Sequence, residues 1–197
     1  LTKTFTDTYL NTDGSRFTDK PGFDDLPFNE EVKDRDLRLQ QTIRMGSYKR
    51  DGIVAPPDFT YTYTGYQPLK FTLDSKATDG VAENNNSIPI IRYAEVLLNE
   101  AEAKAELGTF GAADWDATIK LLRNRAGLQN TAMPITADPY LTQNYFPGIT
   151  DAVLLEIRRE RGIELILEGF RFADLMRWNR GKLLENAYRG LYVPAMD

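Results

Sequence analysis

"RRERGIELILEGFRFADLMRWNRGK", Arg158 to Lys182, is the stretch whose reading decides the fold. It can be a basic arm for nucleic acid, an acid/base site, or an ion-laced helix that holds a structure together. From Asp151 to Arg189 the chain carries eight Lys/Arg and seven Asp/Glu. A phosphate-binding arm needs surplus positive charge, because affinity scales with the phosphates neutralised. Near-neutrality therefore argues against nucleic acid. Glu156, Glu160, Glu164 and Glu168 recur every fourth residue and line one helix face. Paired carboxylates can cleave glycosidic bonds. Here, however, Arg159, Arg161 and Arg171 each stand three residues from a member of the row, which keeps the carboxylates ionised. A glycosidase acid needs the opposite, a raised pKa in an apolar pocket. The surviving reading is structural: Glu160, Glu164, Glu168, Arg171, Asp174 and Arg177 form an ion network. Leu154, Ile157, Leu165, Ile166, Phe172, Leu175 and Trp178 supply the apolar faces. Arginine suits buried, bidentate pairing with carboxylates.

The rest of the composition agrees with a non-catalytic chain. Its 197 residues are 42% apolar and 27% charged, enough for one domain with a sizeable core. The net charge of −5 offers no general basic surface. There is no Cys, so disulfides and thiolate metal sites are excluded. There is no His, which removes the usual general base and the commonest transition-metal ligand. No cofactor and no metal are expected, and any metal would have to be a hard, oxygen-bound ion. No run is long and apolar enough to span a membrane. Leu1 begins without a signal-like region, so the chain reads as a piece of a longer protein.

Two regions differ in pattern. Residues 1–87 are loop-rich, with turn signals such as "DKPG" and "APPD". Within them Lys33–Met45 is compatible with a short helix or an extended segment. "FTYTYTGYQPLKF" (Phe59–Phe71) alternates aromatic with Thr and predicts a strand closed by Gly65. "TDGVAENNNS" (Thr78–Ser87) predicts a polar loop. Residues 88–197 are helical. Ile90, Ala94, Leu97, Leu98, Ala101 and Ala105 make one stripe, predicting a helix over Ile90–Leu107 with Gly108 as its stop. A second helix is predicted over Asp116–Ala126, capped by Asp114 or Asp116 and stopped by Gly127. The pair is similar to one tetratricopeptide unit, without a clean second copy. Residues 128–149 read as a long loop. Thr150 or Asp151 caps a long helix from Ala152 to about Glu168, Gly169 breaks it, and a short helix covers Phe170–Asn179. Val193–Asp197 reads as an extended tail.

"IRRERGIELILEGFRFADLMRWN" (Ile157–Asn179) resembles the C-terminal signature of the SusD/RagB family of outer-membrane nutrient-binding lipoproteins, at Arg158, Glu160-Arg161, Glu164-Leu165, Glu168-Gly169, Arg171, Asp174-Leu175 and Arg177-Trp178. "IIRYAEVLLNEAEAKAELG" (Ile90–Gly108) and "LLRNRAGL" (Leu121–Leu128) match two more signatures. "YLNTDG" (Tyr9–Gly14), "RDLRLQQTIR" (Arg35–Arg44) and "TGYQPLKF" (Thr64–Phe71) follow the same order upstream. Departures stand at Phe170, where members often carry His, and at Ala173, where many carry an aromatic. The resemblance implies a mainly α, tetratricopeptide-related fold with long loops and little β, and the C-terminal part of a family member. It also implies a binder of oligo- or polysaccharide, not an enzyme. Such a protein acts at the cell surface beside a SusC-like, TonB-dependent transporter, tied to the outer membrane by an N-terminal lipid anchor outside this chain. A helical-repeat scaffold for protein partners is the competing reading, and a glycosidase the third.

Sugar rings stack their C–H faces on exposed aromatics, while amides and carboxylates take the hydroxyls. Three places qualify by composition: Tyr61, Tyr63 and Tyr66 with Asn84, Asn85 and Asn86; Trp115; and Tyr140, Tyr145 and Phe146 in the long loop. The competing reading at each is that the ring caps the core.

Overall fold

The computed structural model describes residues 1–80 and 85–194. Asn84 and residues 195–197 of the expected tail lie outside the described residues. Three short helices lie near the beginning: α1 (Lys3–Thr6), α2 (Phe28–Glu31) and α3 (Leu37–Thr42). A two-residue hairpin follows, β1 (Lys49–Arg50) antiparallel to β2 (Ile53–Val54). The helical region comprises α4 (Tyr93–Glu106), α5 (Ala112–Ala117), α6 (Ile119–Arg125), α7 (Pro139–Asn144), α8 (Ala152–Glu164) and α9 (Phe170–Arg177). The architecture is mainly helical, as expected.

α8 is the centre. The Asp151 side chain caps it, accepting from the amides of Val153 (2.8 Å) and Leu154 (3.0 Å). Every residue from Leu155 to Glu164 is buried, although six of these ten are charged. Its apolar side chains enter three core clusters. Ile157 joins Leu97, Leu98 and Ala101 of α4, with Trp115 and Ile119. Ile163 joins Tyr9, Leu39, Ile43 and Tyr66 from the loop-rich region. Leu155 joins Leu141, Phe146, Leu175 and Trp178. Ala94 and Ala101 are small, so α4 and α8 can approach closely.

Several boundaries differ from the sequence expectation. α4 begins at Tyr93, and Ile90 is 92% exposed outside the stripe. Gly108, at φ +69°, ends that helix where the expected stop stands. The second helix starts at Ala112 and breaks at Thr118 (φ −125°, ψ −85°) into α5 and α6. Asp114 sits three residues inside, its Oδ2 accepting the Gly111 amide at 2.9 Å. α8 stops at Glu164, because the chain turns through Leu167 (φ +62°) and Gly169 (φ +88°) before α9.

The expected loop 128–149 contains α7, begun by Pro139 and capped by Asp138. Lys33–Met45 resolves to α3, capped by Asp36. The largest correction is Phe59–Phe71, which forms no strand; its sole ladder contact is a bridge between Ile43 and Pro68. The Asp58 carboxylate accepts from the Thr60 amide (2.8 Å) and the Asp58 carbonyl from the Tyr61 amide (2.9 Å), which turns the chain instead of extending it.

Candidate functional site

Tyr61 lines an open groove of about 610 Å³. Its walls come from the segments around the hairpin: Arg44, Arg50, Asp58, Gln67, Lys76 and Asp79. The hairpin turn is held from outside, since the Asp51 Oδ2 accepts from the Lys76 amide at 3.0 Å. Gln67 is buried, and its Oε1 accepts from the Asp58 amide at 2.8 Å. Arg50 is ion-paired with Asp79. Thr60 holds the Asp58 carboxylate below its usual range. Tyr61 is 74% exposed, Phe59 is 61% exposed and Tyr63 is fully exposed, so this turn presents three aromatic rings to solvent. An exposed ring beside fixed polar groups is the chemistry that holds a sugar.

The remaining ring candidates do not reach solvent in the same way. Tyr66 is fully buried; its hydroxyl donates to Glu31 Oε1 at 2.7 Å and burial raises its pKa. Gly65, at φ +80°, turns the chain inward there, and Leu191 packs where a Cβ would stand. Trp115 is 1% exposed, its indole donating to the Thr131 carbonyl at 2.8 Å. Tyr145 is buried and donates to the Thr4 carbonyl at 2.8 Å. Tyr140 is half-buried, with its hydroxyl 3.2 Å from the same carbonyl and 3.3 Å from Asp7. Asn86 donates to the Phe71 carbonyl. The structure therefore brings Tyr61 and Tyr63 to the surface and sends Tyr66, Trp115 and Tyr145 into the core.

The charged row of α8 meets partners from distant segments. Glu160 is fully buried between Arg38 and Arg123, with Arg123 at 3.1 Å. Glu164 takes Arg38 at 2.9 Å, and Arg92 and Arg125 each at 2.5 Å. Glu168 takes Lys70 at 2.5 Å and Arg92 at 2.7 Å. Asp174 receives Arg161 at 2.8 Å, and Arg177 reaches Glu102 at 2.5 Å. Burial alone would raise the Glu164 and Glu168 pKa values; the surrounding guanidinium and ammonium groups outweigh it and hold both below the usual range. These ionised groups cannot donate a proton as a glycosidase acid would.

Arg171 departs from the network expected of it. Among the described residues no carboxylate lies within 4.0 Å of it, because Asp174 is occupied by Arg161 and Arg177. It lies among the rings of Phe5, Tyr145 and Trp178, 5.7–5.9 Å from their centroids. Gly162 on α8 makes room, since a Cβ there would meet Arg171 Nη1 at 3.3 Å.

Sequence reasoning did not find the groove's polar walls, which come from separate segments of the loop-rich region with no shared periodicity. It also missed Arg38, Lys70, Arg92, Arg123 and Arg125 as partners of the Glu row. The only signal for these was that they fall within the ordered motifs. Among the described residues no helix is long and apolar enough to cross a membrane, and no cluster of three or more His, Cys, Asp or Glu residues is placed to hold a metal ion.

Comparison with known proteins places the chain. A solved SusD-like carbohydrate-binding protein from Bacteroides fragilis superposes with a TM-score of 0.66 at 28% identity, over 93% of this chain. A second SusD-like protein from the same organism has a TM-score of 0.66 at 24% identity over 91%, which bears on the fold alone. The chain spans 36% of the length of each. No curated protein matches it. The sequence model of the SusD family matches residues 1–194, and the order of motifs around the buried charged helix is explained by that match: the chain belongs to the SusD family.

Proposed function

We propose that this chain is part of a cell-surface glycan-binding protein, and that Tyr61, with Tyr63 beside it, supplies the ring on which a sugar stacks. The observation that carries the reading is the 74% exposure of Tyr61 at the wall of a polar groove, in a chain of a carbohydrate-binding family. The role is capture without turnover: the carboxylates of α8 are enclosed by cations, and the chain has no His or Cys. Its partner is a SusC-like, TonB-dependent transporter of the outer membrane, beside which an N-terminal lipid anchor would hold it. Residues 1–87 and 88–197 act as one domain, because Tyr66 and Ile163 share a core cluster.

Isothermal titration of the full-length protein against a glycan panel tests the binding. Tyr61→Ala should weaken it and leave the melting temperature nearly unchanged; an unaltered affinity sinks the assignment of Tyr61. Association with an outer-membrane barrel on detergent extraction tests the partner.

A second reading, a scaffold for protein partners, draws on Ile90, Ile91 and Tyr93, all at least 70% exposed at the start of α4. Charged substitutions there that abolish association with the barrel but preserve glycan affinity would assign that face to the protein partner.

A further inference from the structure

The geometry points to an anionic glycan, carrying carboxylate or sulfate groups, as the ligand of the Tyr61 groove, with Arg44 and Lys76 as the residues that select the charge. The inference rests on the glycan-binding reading above.

The groove is lined by three cations and two carboxylates. Both carboxylates are already engaged: Asp79 by Arg50, and Asp58 by the Thr60 amide. Arg50 is consumed by the same pairing and also donates to the Ser75 carbonyl at 3.2 Å. Arg44 and Lys76 remain. Among the described residues, neither side chain makes an ion pair within 4.0 Å or a hydrogen bond to the protein. Arg44 is held at one face by the Tyr48 ring, 5.3 Å from its centroid, and its Nε is buried without a partner. A guanidinium already braced against a ring loses little further freedom when a ligand oxygen pairs with its outer nitrogens. A neutral sugar can accept from these groups, but only an anion uses their charge. In a chain of net charge −5, the groove's three cations outnumber its two carboxylates.

The test is calorimetric titration of the full-length protein with an oligogalacturonate, a chondroitin sulfate oligosaccharide and a neutral malto-oligosaccharide of similar length. At least one acidic probe should bind about tenfold more tightly than the neutral one. That affinity should fall as salt is raised. Which acidic probe binds separates carboxylate from sulfate. Arg44→Gln and Lys76→Gln should each erase much of the preference; Lys76 is solvent-exposed, and a wild-type melting temperature for each variant shows that it folds. Equal affinity for the neutral probe, lost in Tyr61→Ala, overturns the charge inference and leaves the glycan reading standing. Acidic binding that both Gln variants leave intact also overturns it. Absence of saturable binding by every probe overturns both.

Discussion

Arg38 donates to Glu164 at 2.9 Å across 126 residues of sequence, joining the loop-rich region to the end of the central helix. The Arg38 side chain is 9% exposed and that of Glu164 is 2% exposed, so neither charge can return to water without opening the fold. Desolvating two ions is costly, and the pair persists because every oxygen is met: Arg92 and Arg125 take the other carboxylate atom, and Asp36 and Glu160 share the guanidinium.

Glu164→Gln keeps the shape but leaves several cations short of a partner. We expect it to cost about 3–5 kcal/mol of unfolding free energy in urea titrations, the range for breaking a buried pair. Arg125, 58% exposed at its side chain, is the control: Arg125→Gln should cost less than about 1 kcal/mol. Equal losses would show that burial does not set the strength of this network.

Glu164 and Glu168 have folded pKa values below their unfolded value of 4.5. Their contribution is therefore present above about pH 4.5 and is lost as pH falls through the depressed folded values. Asp7 has the opposite sign: burial pushes it up to about 6, against the lowering effect of Lys3. Its contribution is present below 3.8 and lost as pH rises through about 6. Melting temperatures of Glu164→Gln should thus fall less than wild type between pH 5 and pH 3, taken as roughly bracketing the Glu window. A parallel acid limb in the two proteins would refute the assignment.

The two neighbouring tyrosines should separate function from stability. Tyr66→Phe removes the donor to buried Glu31 and should cost about 1–3 kcal/mol. Tyr61→Ala should stay within about 0.5 kcal/mol of wild type. Denaturant midpoints that reverse this order would mean the exposed ring supports the fold.

Gly65→Ala should be more harmful than Gly22→Ala. Both glycines hold positive φ, +80° and +72°. A Cβ at Gly65 would collide with Leu191 Cδ2, whereas nothing lies within 4 Å at Gly22. The steric excess should add about 1–3 kcal/mol. Thermal melts of the two variants compare them directly, and equal shifts would place Leu191 elsewhere.

Local chemistry in the chain was enough to determine the helical region and its family. The stripe from Ala94 to Ala105, the Asp151 cap and the stop at Gly108 are short-range signals, and each holds in the structure, whereas the long helix ends at Glu164, before Gly169. The order of six motifs named the family because it samples the chain from Tyr9 to Asn179. What the chain could not specify alone was the fate of groups whose partners are distant. The alternation at Phe59–Phe71 has the period of a strand, but a strand needs a neighbour to pair with, and the Asp58 turn is satisfied locally instead. Tyr61 and Tyr66 look alike in sequence; Gly65 and Glu31 send one to water and the other to the core. Arg171 carries the same charge as Arg161, yet only tertiary packing decided that one meets Asp174 and the other meets aromatic rings. Periodicity reports which face of an element is apolar. Which charge finds a counter-charge depends on where elements dozens of residues apart come to rest, and that is a property of the packed chain.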